Sequence, residues 1–146
     1  MSIQKNLWPH EILGGEAPNL PIAMLQEQAA ALNEMTRNVL VASVNTQRAS
    51  LDSKDKSDEL IPGILHTLKI TAPAIGNYDF ILLRLFQDGA SPYPLKLYAP
   101  LMEKKYEGIM DEYSLEGVLR DVFNHPKTIS TIQNLMLQSR SYRAEV

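Results

Sequence analysis

The sequence predicts an α+β domain with an N-terminal helix, an antiparallel meander of four or five strands, and one or two C-terminal helices. Three observations predict it. Apolar residues recur every three or four positions over residues 21–36, strand-like runs separated by turns fill Ile64 to Pro100, and a second helical stripe follows Ser114. The 146 residues are enough to bury one core, so we treat residues 1–146 as a single domain.

The chain opens with a segment that shows little periodicity. Residues 1–20 contain prolines and a glycine pair, so we predict an irregular lead-in. We expect its large apolar side chains to fix it to the body of the domain: Leu7, Trp8, Ile12 and Leu13. The first helix is predicted to begin at Pro21, whose fixed φ suits a first turn, and to reach about residue 36.

Strands are predicted from β-branched residues and from alternation. Residues 38–47 are rich in valine and predict a first strand, and the charged residues 51–63 predict a solvated loop. The run Ile64–Ala72 alternates between apolar and polar positions, which indicates one buried and one solvated face. The short run Leu95–Ala99 follows two prolines and is predicted to be an edge strand, since proline cannot donate to a ladder.

The run Tyr78–Gln87 is apolar at both sets of alternating positions. Tyr78, Phe80, Leu82 and Phe86 form one set, and Ile81, Leu83 and Leu85 form the other. We therefore predict a central strand. If all helices pack on one face of the sheet, the other face lacks cover, and either set could be the exposed one. Helices that cover opposite faces are the alternative reading.

The C-terminal third contains an ambiguous segment and two predicted helices. Residues 102–113 fit a helix interrupted by Gly108 or a fifth strand. Ser114 is predicted to cap a helix that ends near Phe123, and Pro126 to start another. Residues 141–146 are predicted to be a frayed tail.

Composition excludes several classes of function. The chain contains no cysteine, which rules out disulfides, thiolate metal sites and cysteine nucleophiles. Its net charge of −3 argues against a nucleic-acid partner. It contains no apolar stretch of membrane-spanning length and no secretory leader pattern, so we expect a cytoplasmic protein without membrane contact.

No strong metal or catalytic motif stands out. The acidic run over residues 52–59 lacks the ligand spacing and central glycine of a calcium loop, and we expect neither a metal nor a cofactor. The sharpest enzymatic reading is a metal-dependent nuclease, in which Asp79 and Glu103 would hold a cation and Lys105 would assist the attacking water.

The preferred functional reading is a non-enzymatic protein-interaction module, homodimeric through its sheet, with another protein as a possible partner. Ile81, Leu83 and Leu85 are the predicted interface residues. The alternative is a small-ligand binder with an apolar pocket, whose polar contacts would come from four residues: Trp8, His66, Tyr78 and Tyr98. His66 shares a predicted strand face with Leu68, which also fits a hydrogen-bonded core histidine.

Overall fold

Five antiparallel strands, paired in the order in which they follow along the chain, form one sheet in the computed structural model of the protein. The structure describes residues 5–14, 20–49 and 62–144, so the loop predicted at 51–63 lies almost wholly outside the described residues. The helices are α1 (Pro21–Met35), α2 (Glu112–Phe123) and α3 (Pro126–Ala144). The strands are β1 (Val41–Ala49), β2 (Gly63–Ala72), β3 (Tyr78–Gln87), β4 (Leu95–Ala99) and β5 (Lys104–Ile109).

This order confirms the predicted fold class and decides between four and five strands. β5 occupies the ambiguous segment, with Gly108 at φ 66° where the β4–β5 register shifts. β3 is central, as predicted. The prediction that Leu95–Ala99 forms an edge is wrong, because β5 pairs with its free side. The true outer strand on that side is β5, which begins with two lysines of the kind that discourage edge-to-edge pairing.

The junction between α1 and β1 explains why the first strand begins three residues later than predicted. Arg37 and Asn38 both adopt positive φ, at 52° and 61°, and turn the chain back from the helix. Thr36 holds the turn, because its hydroxyl donates to the carbonyl of Leu40 and accepts from the Leu40 amide. The first residues of the β-branched run therefore form a turn, although their strand propensity predicts a strand.

Asn33 of α1 binds the outer edge of β1 as a partner strand would. The Ala42 amide donates to Asn33 Oδ1 at 2.6 Å, and Asn33 Nδ2 donates to the Ala42 carbonyl at 3.2 Å. An edge strand otherwise leaves such groups without a partner. The two bonds therefore fix the helix to the sheet at the start of β1.

A β-bulge in β3 accounts for its two apolar sets. Leu68 of β2 lies opposite Leu83, but the next residue, Lys69, lies opposite Ile81, so Leu82 is an extra residue. In a bulge the alternation of side chains is interrupted, and here Leu82 and Leu83 are both buried, at 3% and 0% exposure. Most apolar side chains of β3 therefore reach one face, although they occupy both odd and even positions.

All three helices lie on that face of the sheet. Their buried side chains join those of the strands in one core, to which α1 contributes Leu25 and Ala29, α2 Leu115, Leu119 and Val122, and α3 Leu135. The register places Ile81 on the opposite face, together with Arg84 and Phe86, and none of the helices within residues 5–14, 20–49 and 62–144 packs on that face. We call this helix-free surface the open face.

The boundaries of the C-terminal helices differ from the predicted ones. Asp111, not Ser114, caps α2, because its Oδ1 accepts from the Ser114 amide at 2.8 Å. The predicted frayed tail is wrong for residues 141–144, which continue α3 to Ala144. No helix in the described ranges is both long enough and apolar enough to cross a membrane.

Candidate functional site

An apolar groove separates α1 from α3 above the middle of the sheet. Its volume is about 390 Å³. Ala42, Leu68, Ile70 and Leu82 form the floor, so the bulge in β3 supplies one of the four floor residues. We call this cavity the interhelical groove.

The walls of the interhelical groove are also apolar. α1 contributes Leu32 and Met35, and α3 contributes Ile129 and Ile132. Met35 is 82% exposed and Ile129 41%, so the upper walls present apolar surface to the solvent. The polar lining comes from side-chain amides and a hydroxyl, those of Gln28, Asn124, Thr128 and Gln133. The groove therefore favours an uncharged, apolar occupant.

The N-terminal segment, residues 5–14, is the second apolar surface, and we call it the apolar arm. It ends in a short 3-10 helix, His10–Leu13. The expectation that its apolar side chains fix it to the body is wrong: Leu7 is 80% exposed, Trp8 71%, Ile12 58% and Leu13 80%. The apolar arm therefore exposes four large apolar side chains to the solvent.

The four residues predicted to contact a ligand do not converge. Trp8 is on the apolar arm, His66 is buried between β1 and β3, and Tyr78 is half exposed at the start of β3. Tyr98 lies on the open face and lines a shallow groove of about 410 Å³. None of the four lines the interhelical groove.

The predicted interface residues are divided between the two sides of the sheet. Leu83 and Leu85 are in the core, with none of their surface exposed, and Ile81 is half buried on the open face. The bulge at Leu82 is the physical reason, because it reverses the alternation on which the prediction depended.

His66 is a hydrogen-bonded histidine inside the sheet layer. Its Nδ1 lies 2.8 Å from Thr46 Oγ1, and only 4% of its surface is exposed. Burial lowers the pKa of His66 below its ordinary value, because the charged ring loses hydration, while a hydrogen bond to Gln87 partly opposes the shift. The ring is therefore neutral at pH 7.

This lowered pKa predicts a loss of stability on mild acidification. The unfolded chain takes up a proton at His66 near pH 6.5, and the folded chain does so only at lower pH. The unfolded state thus binds more protons between the two pKa values, and the free energy of unfolding falls as pH decreases through that window. Urea unfolding from pH 7 to pH 5 should show this fall, and His66→Gln should reduce it.

The difference between the slopes of the two proteins measures the contribution of His66. Equal slopes in the two proteins would contradict the assignment. The hydrogen bond from the Ser114 amide lowers the pKa of Asp111, and those from Tyr106 and Lys104 lower the pKa of Asp121. These carboxyls contribute stability that is lost only at lower pH, below about 4, so their window is separate.

The three candidate nuclease residues are not brought together. Asp79 forms an ion pair with Lys69, 3.7 Å from Nζ to Oδ2, and Glu103 occupies the turn before β5. Lys105 lies in the cross-strand row of Arg84, which is five residues from Asp79, about 16 Å along β3. Within residues 5–14, 20–49 and 62–144, no group of three histidine, aspartate or glutamate side chains could hold a metal ion.

A larger cavity, of about 490 Å³, lies between α1 and α2 and is polar. Glu27, Glu112 and Glu116 line it together with Arg120. Arg120 Nη2 lies 3.0 Å from Glu116 Oε1, one helical turn away, so this charge pair stabilises the surface of α2. Nothing at this cavity indicates a ligand.

Comparison with protein-family models, with curated proteins and with solved structures found no match to the chain. The features that bear on function are therefore the two apolar surfaces, the interhelical groove and the apolar arm. Sequence reasoning missed the groove, because its lining comes from helices and strands far apart in the chain. The arm is visible in the sequence as Leu7, Trp8, Ile12 and Leu13, but the same residues equally fit internal packing.

Proposed function

We propose that this protein is a non-enzymatic, cytoplasmic interaction module that forms a homodimer by exchange of its apolar arms. The arm of each copy would lie in the interhelical groove of the other. The observation that carries the proposal is the exposure of Leu7, Trp8, Ile12 and Leu13 on a chain that also presents an apolar groove. Contiguous apolar surface of this kind usually marks an interface.

The free energy gained by burying the side chains of the apolar arm and the free-energy cost of association are of comparable size. Covering four large apolar side chains contributes roughly 6–12 kcal/mol per arm, at 1.5–3 kcal/mol each. Association costs about 4–15 kcal/mol in lost translational and rotational freedom. Two exchanged arms contribute twice the burial for a single association cost, which favours a symmetric dimer over a complex with one arm docked.

The length of the connection permits exchange. Six residues separate Gly14 from Pro21, the first residue of α1, so the Cα atoms of Gly14 and Pro21 can be at most about 25 Å apart. An arm on such a connection can extend beyond its own body to a neighbouring copy. The interhelical groove lies beside the second half of α1, from Gln28 to Met35. Its floor is the helix-covered side of the sheet, so the proposed dimer contact lies between the helices and not on the open face, and it differs from the predicted contact through the sheet.

Sedimentation equilibrium combined with tryptophan fluorescence tests the proposal. Trp8 is the only tryptophan, so its emission reports directly on the arm. We expect a monomer–dimer equilibrium at micromolar concentrations, and Trp8 emission should shift to shorter wavelengths as the dimer forms. Leu7→Ser and Leu13→Ser change the arm, and Met35→Ser changes the groove. Each should weaken the dimer.

Leu137→Ser is the matched control. Leu137 is 60% exposed on α3 but does not line the groove, so its replacement should leave the dimer unchanged. A strict monomer across the micromolar range contradicts the proposal. So does a dimer that neither the arm variants nor Met35→Ser weakens. A monomer whose Trp8 emission is already at short wavelength would show that the arm lies in its own groove.

The volume of the interhelical groove favours a second candidate function, the binding of a small apolar ligand. A cavity of about 390 Å³ is within the range of ligand pockets, roughly 300–1,000 Å³. One-to-one binding of the apolar probe 1-anilinonaphthalene-8-sulfonate to the monomer, with displacement of the probe on dimerisation, would favour this function. Displacement is expected because the probe and the arm would compete for the same surface.

A further inference from the structure

The open face carries aromatic and cationic side chains in adjacent positions. Phe86 of β3 lies opposite Lys96 of β4, and Tyr98 of β4 lies opposite Arg84 of β3. Lys105 of β5 flanks Tyr98 on its other side. The pattern alternates ring and charge both along and across the strands.

The two aromatic side chains, Phe86 and Tyr98, are both partly exposed. Phe86 and Tyr98 are diagonal neighbours on adjacent strands, a spacing of about 7–8 Å between Cα atoms. The Phe86 ring rests on Gly63, where an added Cβ would come within 2.5 Å of it. A glycine at this position thus allows the ring to lie flat across β2.

The cations of this surface have few acidic neighbours among the described residues. Arg84, Lys96 and Lys105 line the open-face groove, and Glu107 is the single acid among its lining residues. In the part of the chain that the structure describes, none of the three cations is within ion-pair distance of a carboxylate. The net charge of −3 therefore conceals a local excess of positive charge.

We propose that the open face binds single-stranded nucleic acid. Bases would stack on Phe86 and Tyr98, and Arg84, Lys96 and Lys105 would contact the phosphates. Partly exposed aromatic rings beside cations suit unpaired bases, because every base has a face that can stack on an aromatic side chain. An acidic peptide would use the cations and leave the rings without a partner. A duplex would not offer its bases to a sheet surface.

Fluorescence anisotropy of the full chain with labelled oligouridylate and oligothymidylate tests the proposal at low salt. We expect binding that weakens linearly with the logarithm of salt concentration. Tyr98→Leu keeps an apolar strand residue and removes the stacking ring, so it should weaken binding about tenfold. Lys105→Gln should lower the salt slope by about 0.7, the value for one phosphate contact on a single strand.

Lys127→Gln is the matched control, because it removes the same charge from exposed α3 and should change neither quantity. Circular dichroism of each variant verifies folding. Tyr98→Leu is preferred to a change at Phe86, because the Phe86 ring packs against Gly63 of β2. The proposal is overturned if neither oligonucleotide binds at low salt. It is also overturned if Tyr98→Leu binds as the wild type does, or if a matched duplex or oligoglutamate binds as tightly.

Discussion

Leu82→Ala and Leu83→Ala are each expected to lower the free energy of unfolding by about 2.7–5 kcal/mol, the range for leucine truncation in a well-packed core. Both side chains are buried because the β3 bulge breaks the alternation between them. In a regular strand, consecutive residues point to opposite faces, and only one of the two truncations would be so costly. Urea unfolding at a fixed protein concentration measures the effect.

Ile81→Ala is the control for this pair. Ile81 is also an apolar β3 residue, but it lies on the open face and is only half buried. Its truncation should cost about 1 kcal/mol, which reflects lost apolar contact without a large internal cavity. A loss at Ile81 equal to that at Leu83 would show that the open face is covered. A small loss at Leu82 or Leu83 would contradict the bulge.

The second large effect is expected at the helix–strand junction. Asn33→Ala should lower the free energy of unfolding by about 2–3 kcal/mol, because the buried amide and carbonyl of Ala42 lose their partner. Asn33→Asp retains the acceptor but places a carboxylate oxygen against the Ala42 carbonyl, so it should also lower the free energy of unfolding. Thermal and urea unfolding of the three proteins give the comparison.

Asn134→Ala separates the hydrogen bonds from helix propensity. Asn134 is exposed in α3, and the same substitution there gains the same intrinsic preference of alanine for helix. Its effect should stay within about 0.5 kcal/mol. If Asn33→Ala is equally mild, the Asn33 side chain does not hold the edge of β1, and the role assigned to it is wrong.

Local patterns were sufficient for most elements. The ends of β3 and β4, the start of α1 at Pro21 and the start of α3 at Pro126 all follow from alternation or from proline at a first helical turn. Errors arose where a side chain competes with the pattern. Asp111 accepts a hydrogen bond from the Ser114 amide, so α2 begins earlier in the chain than predicted. The turn at Arg37 and Asn38 makes β1 begin later than predicted.

The strand pattern and the composition were informative, whereas the two surfaces proposed to bind partners, the interhelical groove and the open face, could not be predicted from the sequence. The alternation of the strands correctly indicated that β3 is central, and the exclusion of cysteine chemistry is a property of composition alone. The interhelical groove could not be predicted, since Leu68, Leu82 and Ile129 meet only after the helices have packed. The basic and aromatic residues of the open face come from three strands and are brought together by register.

By itself, the sequence determined the order of helix, meander and helices, because periodicity and turn residues act over a few neighbouring positions. Only the tertiary structure decided which apolar residues of β3 are core and which are surface. A single extra residue at Leu82 reverses the face of every residue beyond it. The extra residue can be recognised only by comparison with the partner strand, because a bulge is a property of two paired strands and not of one strand.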